Sequence, residues 1–285
     1  MPELPEVETV RRTLEPLVVG RTFTHVTISW SGCDAQGDGR SLAQSLPGAR
    51  CVKVGRRGKY LLVHLDGERT LVVHLRMTGR LIVVDGSEPI TRHERIRLHM
   101  DDGTALSFAD QRKFGRLTLA RDTPALADVL RRLGPEPAVS QANVGHLIGS
   151  LTVDALLRSF ASRRAPVKAI LLDQRVVAGL GNIYVDEVLF VAGLHPATPG
   201  RECAKDAVER IVRATATVLD EAIADGGTTL ADYRDATGAT GAHQTRLRVF
   251  RRHGQPCRDC GSQIERCVIA QRGTHFCPAC QRRPR

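Results

Sequence analysis

The segment Pro2-Glu3-Leu4-Pro5-Glu6-Val7-Glu8 combines a latent amine nucleophile with carboxylates. Removal of Met1 would leave Pro2 with a free secondary amine that can condense with a sugar aldehyde carbon to form an iminium. Glu3 and Glu6 lie close enough in sequence to move protons. The same residues also fit a plainer description, an acidic turn with Pro5 opening a helix. Near the other end, Cys257-Arg258-Asp259-Cys260 and Cys277-Pro278-Ala279-Cys280 are two C-x-x-C pairs at a spacing suited to a four-thiolate zinc site. The segment between them is too short to hold itself by apolar burial, so one zinc ion would be structural. Disulfides are the alternative, but no segment reads as a signal peptide or a long apolar span. Cys33, Cys51, Cys203 and Cys267 show no pairing pattern and read as small core residues or solvent-tolerant thiols.

Charge supplies the partner class. Lys and Arg total 41 against 31 Asp and Glu, a net charge of +10, so a polyanion is the first candidate. An anionic membrane would need a basic amphipathic anchor or a lipidation signal, and neither pattern is seen. Nucleic acid is therefore favoured over a membrane. A chain of 285 residues with 42% hydrophobic content has room for more than one domain core.

These residues need elements to position them. Alternating short runs at 23–30, 51–56, 60–65, 70–75, 81–84, 95–100, 105–109 and 116–120 predict an antiparallel sandwich. Val7, Val10 and Leu14 repeat at helical spacing, so a leading helix can dock on the sheets and anchor the N-terminus. Gly134-Pro135-Glu136-Pro137 breaks the pattern as a hinge. Helices are expected at 151–161, 166–172, 182–192 and 204–225, then a loop around 237–241 and the cysteine hairpin. The fold class is α+β and multidomain, divided as 1–134, 135–243 and 244–285. Gly179-Leu180-Gly181-Asn182 precedes one helix and would suit either a phosphate site or a tight inter-helix turn.

Together these motifs resemble the bacterial formamidopyrimidine-DNA glycosylases, with the endonuclease VIII branch as a related group. The resemblance spans nearly the whole chain. It rests on Pro2 to Glu8, Gly58-Lys59-Tyr60-Leu61, His74-Leu75-Arg76-Met77-Thr78-Gly79, Asp110-Gln111-Arg112-Lys113-Phe114-Gly115, Gly179 to Tyr184, and the cysteine pairs with Gln271-Arg272-Gly273-Thr274. It implies a β-sandwich with a leading helix, a helix-two-turn-helix domain and a zinc hairpin. It also implies that Pro2 attacks C1′ of the damaged nucleotide, Glu3 shuttles protons, Glu6 supports the site and Lys59 holds a phosphate beside the lesion. Successive β- and δ-elimination from the iminium would then break the strand, with no chemical part for zinc.

An enzyme of this kind extrudes its target nucleotide and fills the gap. Met77, Arg112 and Phe114 match the family's inserted residues: a thioether and a ring replace lost stacking, and the guanidinium reads the estranged cytosine. In a sandwich Met77 and Phe114 could equally be core residues. The resemblance implies phosphate contacts from His74, Lys113, Lys168, Asn182 and Arg272, with Arg272 counted among the catalytic group as well. The stretch Gly238 to Gln244 aligns with the loop that closes over the extruded base, yet lacks the aromatic residues of some relatives, which leaves lesion preference open. The implied activity is that of a monomeric, cytoplasmic glycosylase and abasic-site lyase of base-excision repair, acting at the nucleoid on oxidised purines in duplex DNA. An oxidised-pyrimidine glycosylase and a non-catalytic zinc-finger binder of damaged DNA are the rival readings.

Overall fold

The structure is a computed structural model that describes residues 1–34, 40–138 and 150–282. It opens with helix α1 (Leu4–Val18), which has Pro5 in its first turn and Glu6 in a capping box with Glu3. Val7, Val10, Leu14 and Val18 lie on one face of it and are buried. Strand β1 (Phe23–Ile28) and the short helix α2 (Arg40–Ser45) follow, then β2 (Cys51–Arg57), β3 (Tyr60–Leu65), β4 (Thr70–His74), β5 (Gly79–Asp85), β6 (Glu94–Met100), β7 (Thr104–Asp110), β8 (Arg116–Ala120) and helix α3 (Thr123–Leu130). The strands form two four-stranded antiparallel sheets in the orders β1-β6-β7-β5 and β2-β3-β4-β8. Helix α1 packs on β2 and β3, and one apolar cluster joins its buried face to side chains of both sheets. Each strand expected from alternation is present. The sequence pattern does not mark helices α2 and α3, although Asp122 caps α3 by accepting from the Ala125 N–H at 2.8 Å.

A second unit holds α4 (Val153–Phe160), α5 (Val167–Leu172), α6 (Asn182–Val191) and α7 (Lys205–Ala224), with a hairpin of β9 (Glu265–Ile269) and β10 (Arg272–Phe276). Sequence spacing makes α6 amphipathic, whereas residues 183–190 are all buried. The difference lies in Asp186 and Glu187, which find partners inside the protein. Among the described residues, no helix is long and apolar enough to cross a membrane.

Packing divides the chain differently from the boundaries expected from sequence. Residues 225–244 belong with the sandwich, and the hairpin belongs with the helices. Tyr233 and Ala236 sit in the sandwich core. The Ala236 N–H donates to Thr13 Oγ1 of α1 at 3.1 Å, and its carbonyl accepts from the Val83 N–H of β5 at 2.9 Å. A glycine-rich return segment with few apolar residues gives no periodicity from which this docking could be read.

Candidate active site

Pro2 and Glu3 are both buried, Glu3 with 2% of its surface exposed. The terminus is fixed by Glu6, whose Oε2 accepts from the Glu3 N–H at 2.8 Å and whose Oε1 accepts from the Thr228 N–H at 2.7 Å. The Tyr233 hydroxyl donates to the Glu6 carbonyl at 3.3 Å. Burial, with the Glu6 charge adding to it, pushes that phenol well above its ordinary range, so it stays a neutral donor. Gly227, with φ +81°, lets the backbone reach Glu6: a Cβ there would lie 3.0 Å from Glu6 Oε1 in a conformation that L residues rarely adopt. Both Glu6 oxygens are thus engaged in tying the terminus to the return segment.

Glu8 ties α1 to the neighbouring strands. Its Oε2 accepts from Arg56 Nε at 3.0 Å with both side chains fully buried, and Oε1 accepts from Arg11 and Arg12. Arg56 in turn donates from Nη1 to the Gly58 carbonyl at 3.1 Å, one residue before Lys59 in the β2–β3 turn. Lys59 is 6% exposed. Sequence reasoning named Lys59 but not the Glu8–Arg56 pair that holds its turn. Their separation of 48 residues leaves no local signal.

His74, at the end of β4, accepts from the Arg76 N–H on Nδ1 at 3.0 Å, which puts its proton on Nε2. Burial, with Arg76 and Lys59 nearby, pushes its pKa down to about 3. At neutral pH its Nε2 is therefore an uncharged N–H donor rather than part of a cation.

Met77, Arg112 and Phe114 are surface residues, with Met77 36% and Phe114 47% exposed. The core reading of Met77 and Phe114 does not hold. Two loops carry these residues, 75–78 after β4 and 111–115 before β8, and buried Asp110 joins them. Asp110 Oδ1 accepts from the Thr78 hydroxyl and, at 3.1 Å, from the Arg112 N–H, while Oδ2 accepts from the Gly115 N–H at 2.7 Å. A Cβ at Gly115 would stand 2.4 Å from the Phe108 ring, so a side chain there would force that buried ring to shift. Arg112 lies over the Phe114 ring at 4.8 Å, and Lys113 over Trp30 at 5.3 Å.

In the helical unit, Gln174 shapes the turn before α6. Its Oε1 accepts from the Gly179 N–H at 3.0 Å, and Nε2 donates to the Leu180 carbonyl at 2.7 Å. Asn182 begins α6 and donates from Nδ2 to the Gly273 carbonyl of the hairpin at 3.0 Å. Arg272 is exposed at the start of β10. Lys168, expected among the phosphate contacts, is 0% exposed; its ammonium donates inward to Asp186 Oδ1 at 2.7 Å and to the Gly273 carbonyl at 3.2 Å. An ammonium so buried and engaged is not presented to a phosphate. Glu187 accepts from three consecutive N–H groups, those of Arg248, Val249 and Phe250, at 2.7, 2.9 and 2.8 Å. Burial raises its pKa against the opposing effect of those bonds.

The sulfurs of Cys257, Cys260, Cys277 and Cys280 all lie within 4.8 Å of one another, with Cys257–Cys280 at 4.0 Å and Cys260–Cys277 at 3.4 Å. None of the four is in a disulfide. Tetrahedral zinc with bonds of about 2.3 Å brings its sulfurs to separations of this order, so the donor set fits that ion. Hydrogen bonding from Ser262 and neighbouring thiols pulls Cys260 down to about 6, while burial and the adjacent cysteines push Cys280 up. A shared cation would hold all four as thiolates.

Comparison with known proteins agrees with this geometry. Residues 1–117 match the formamidopyrimidine-DNA glycosylase N-terminal domain, 133–233 its H2TH domain, and 254–283 the zinc finger found in FPG and IleRS. The chain is 43% identical to the formamidopyrimidine-DNA glycosylase of Herpetosiphon aurantiacus over 99% of this chain and 100% of that one. For the Chloroflexus aurantiacus protein of the same name the identity is 44%, over 99% and 98%. Among solved structures, Lactococcus lactis Fpg in complex with abasic-site DNA superposes with a TM-score of 0.90 at 33% identity, covering 99% of this chain and 100% of that one. The MutM (Fpg) protein of Thermus thermophilus gives 0.85 at 43% identity, with full coverage of both. The chain belongs to the formamidopyrimidine-DNA glycosylase family.

Proposed function

We propose that the protein is a bifunctional DNA glycosylase and abasic-site lyase that removes oxidised purines from duplex DNA in base-excision repair. The observation that carries this reading is the buried Pro2-Glu3 terminus, locked by Glu6 to the return segment and, through Glu8 and Arg56, to the turn that bears Lys59. A nucleophile that must meet one sugar carbon needs such an anchor. Removal of Met1 exposes the Pro2 amine, which attacks C1′ as Glu3 delivers a proton to the sugar ring oxygen. The base departs and an iminium remains. Loss of a C2′ proton then expels the 3′-phosphate, and a further elimination expels the 5′-phosphate. Lys59 and the neutral His74 bind the phosphates beside the lesion.

Met77, Arg112 and Phe114 fill the gap left by the extruded nucleotide, on two loops that Asp110 holds in one relation. Asn182 and Arg272 meet backbone phosphates, and the four cysteines hold one zinc ion whose role is structural. The protein works as a monomer in the cytoplasm and associates with the nucleoid through DNA. Support comes also from relatives: the Lactococcus lactis enzyme has been solved with abasic-site DNA, and a mutant of it with Fapy-dG DNA. The test is base release and strand nicking on duplexes carrying 8-oxoguanine opposite cytosine, thymine glycol or an abasic site. The expected order is release of 8-oxoguanine over thymine glycol, with nicking of the abasic duplex on both sides of the sugar. Duplex binding without nicking would reduce the protein to a binder of damaged DNA.

A further inference from the structure

Lys168 and Asp186 form a fully buried ion pair that the chemistry above does not use. Asp186 lies one turn along α6 from Asn182. Its Oδ1 takes the Lys168 ammonium at 2.7 Å, and its Oδ2 accepts from the His275 N–H of β10 at 2.9 Å, with the His275 ring nitrogen at 3.3 Å. The Gly273 carbonyl, next to Arg272 in the chain, accepts from Lys168 Nζ at 3.2 Å and from Asn182 Nδ2 at 3.0 Å. Asp186, Lys168 and His275 are at most 8% exposed. One carboxylate and one ammonium thereby hold both ends of the stretch Gly273 to His275 against α6. The side chains at the two ends of this arrangement, Asn182 and Arg272, are the pair assigned to backbone phosphates.

We infer that Asp186 is a positioning residue for DNA binding: with Lys168 as its internal counter-charge, it fixes the zinc hairpin to α6 so that Arg272 and the α6 N-terminus act as one phosphate-binding unit. Zinc shapes the hairpin; the ion pair decides where the hairpin points. A buried pair contributes little net stability, and an apolar pair of similar volume is often tolerated, so its presence is better explained by geometry than by stability. The inference rests on the proposed reading that Asn182 and Arg272 meet phosphates.

The two can be tested apart in one titration series. Affinity for a duplex with an abasic-site analogue is measured against salt for the wild type, for Lys168→Met/Asp186→Leu and for Asp186→Asn, each checked for zinc content and thermal melting. The double variant replaces the pair without leaving a lone buried charge, and Asp186→Asn keeps the shape if that packing fails. With zinc content at the wild-type level, the slope of log affinity against log salt should become shallower by about one for each phosphate that the variant no longer neutralises. Folded, zinc-loaded variants with the wild-type slope would overturn the positioning role and leave the pair as packing only. A wild type whose duplex affinity does not respond to salt would instead overturn the phosphate reading itself.

Discussion

The N-terminal anchor and the zinc hairpin each hold a functional group near one end of the chain, and they do so by opposite means. Helix α1 leans on an apolar cluster built from both sheets, and its buried carboxylates Glu6 and Glu8 add direction to that packing. Beside the hairpin, the described residues Phe190, Val249, Cys257, Ile264 and Cys277 form a small cluster, and Val268 of β9 is 67% exposed. Where apolar area is plentiful, polar pairs set position; where it is scarce, the proposed zinc ion would supply the stability as well. Perturbing each region in turn should show this contrast.

The largest effect is expected at the cysteines. Cys257→Ser or Cys280→Ser should lose the metal, and with it a binding free energy that in small zinc domains is about 10–16 kcal/mol. DNA affinity should collapse, while the main melting transition of the sandwich persists. Metal analysis with parallel DNA titration checks this, and a Cys257→Ser protein with full DNA affinity would remove the metal from the explanation. In the anchor, Glu8→Gln removes the buried carboxylate that Arg56 and Arg11 share, a loss of about 3–5 kcal/mol of stability. Denaturant unfolding measures it, and zinc content should be unchanged. An effect below about 1 kcal/mol would mean that packing alone holds α1.

A smaller effect is expected at the loops that Asp110 joins. Arg112→Ala should reduce discrimination between cytosine and adenine opposite the lesion by about 1–3 kcal/mol, the range of a good base-edge contact. Lys113→Ala should weaken binding to every sequence and make the salt slope shallower by about one. Equal losses opposite both bases would make Arg112 a backbone or packing residue. A further effect, confined to acid pH, concerns His74. Its pKa falls from the ordinary 6.5 to about 3 on folding, so between those values the unfolded chain binds the extra proton. The contribution of His74 is therefore present above pH 6.5 and is lost as pH falls toward 3. Melting from about pH 7 to about pH 4 should show a weaker acid dependence in His74→Gln than in the wild type.

Much of this architecture is legible in the sequence because its signals are local. Alternation marks the strands of both sheets, and the spacing of Val7, Val10 and Leu14 marks the buried face of α1. The paired C-x-x-C motifs mark the sulfur cluster. Residues that act across long separations leave no such trace. The pairings of Glu8 with Arg56, Lys168 with Asp186 and Glu6 with Thr228 carry no sequence signal and emerge only when the fold brings the residues together. The same gap explains Lys168, which the family resemblance places on DNA and the structure places in an internal ion pair. Helix α3 is a different case, since Asp122 and Pro124 are a usable start signal that its short length obscures.

The most direct test of the anchored terminus is where a covalent intermediate forms. The protein with Met1 removed is mixed with abasic-site or 8-oxoguanine duplex, borohydride is added, and the trapped peptide is mapped by mass spectrometry. The expected adduct is on Pro2, a one-residue N-terminal extension should abolish it, and Glu3→Gln should slow base release while leaving the amine free to react. An adduct on Lys59 or another lysine, or trapping undiminished by the extension, would contradict the assignment of Pro2 as the nucleophile.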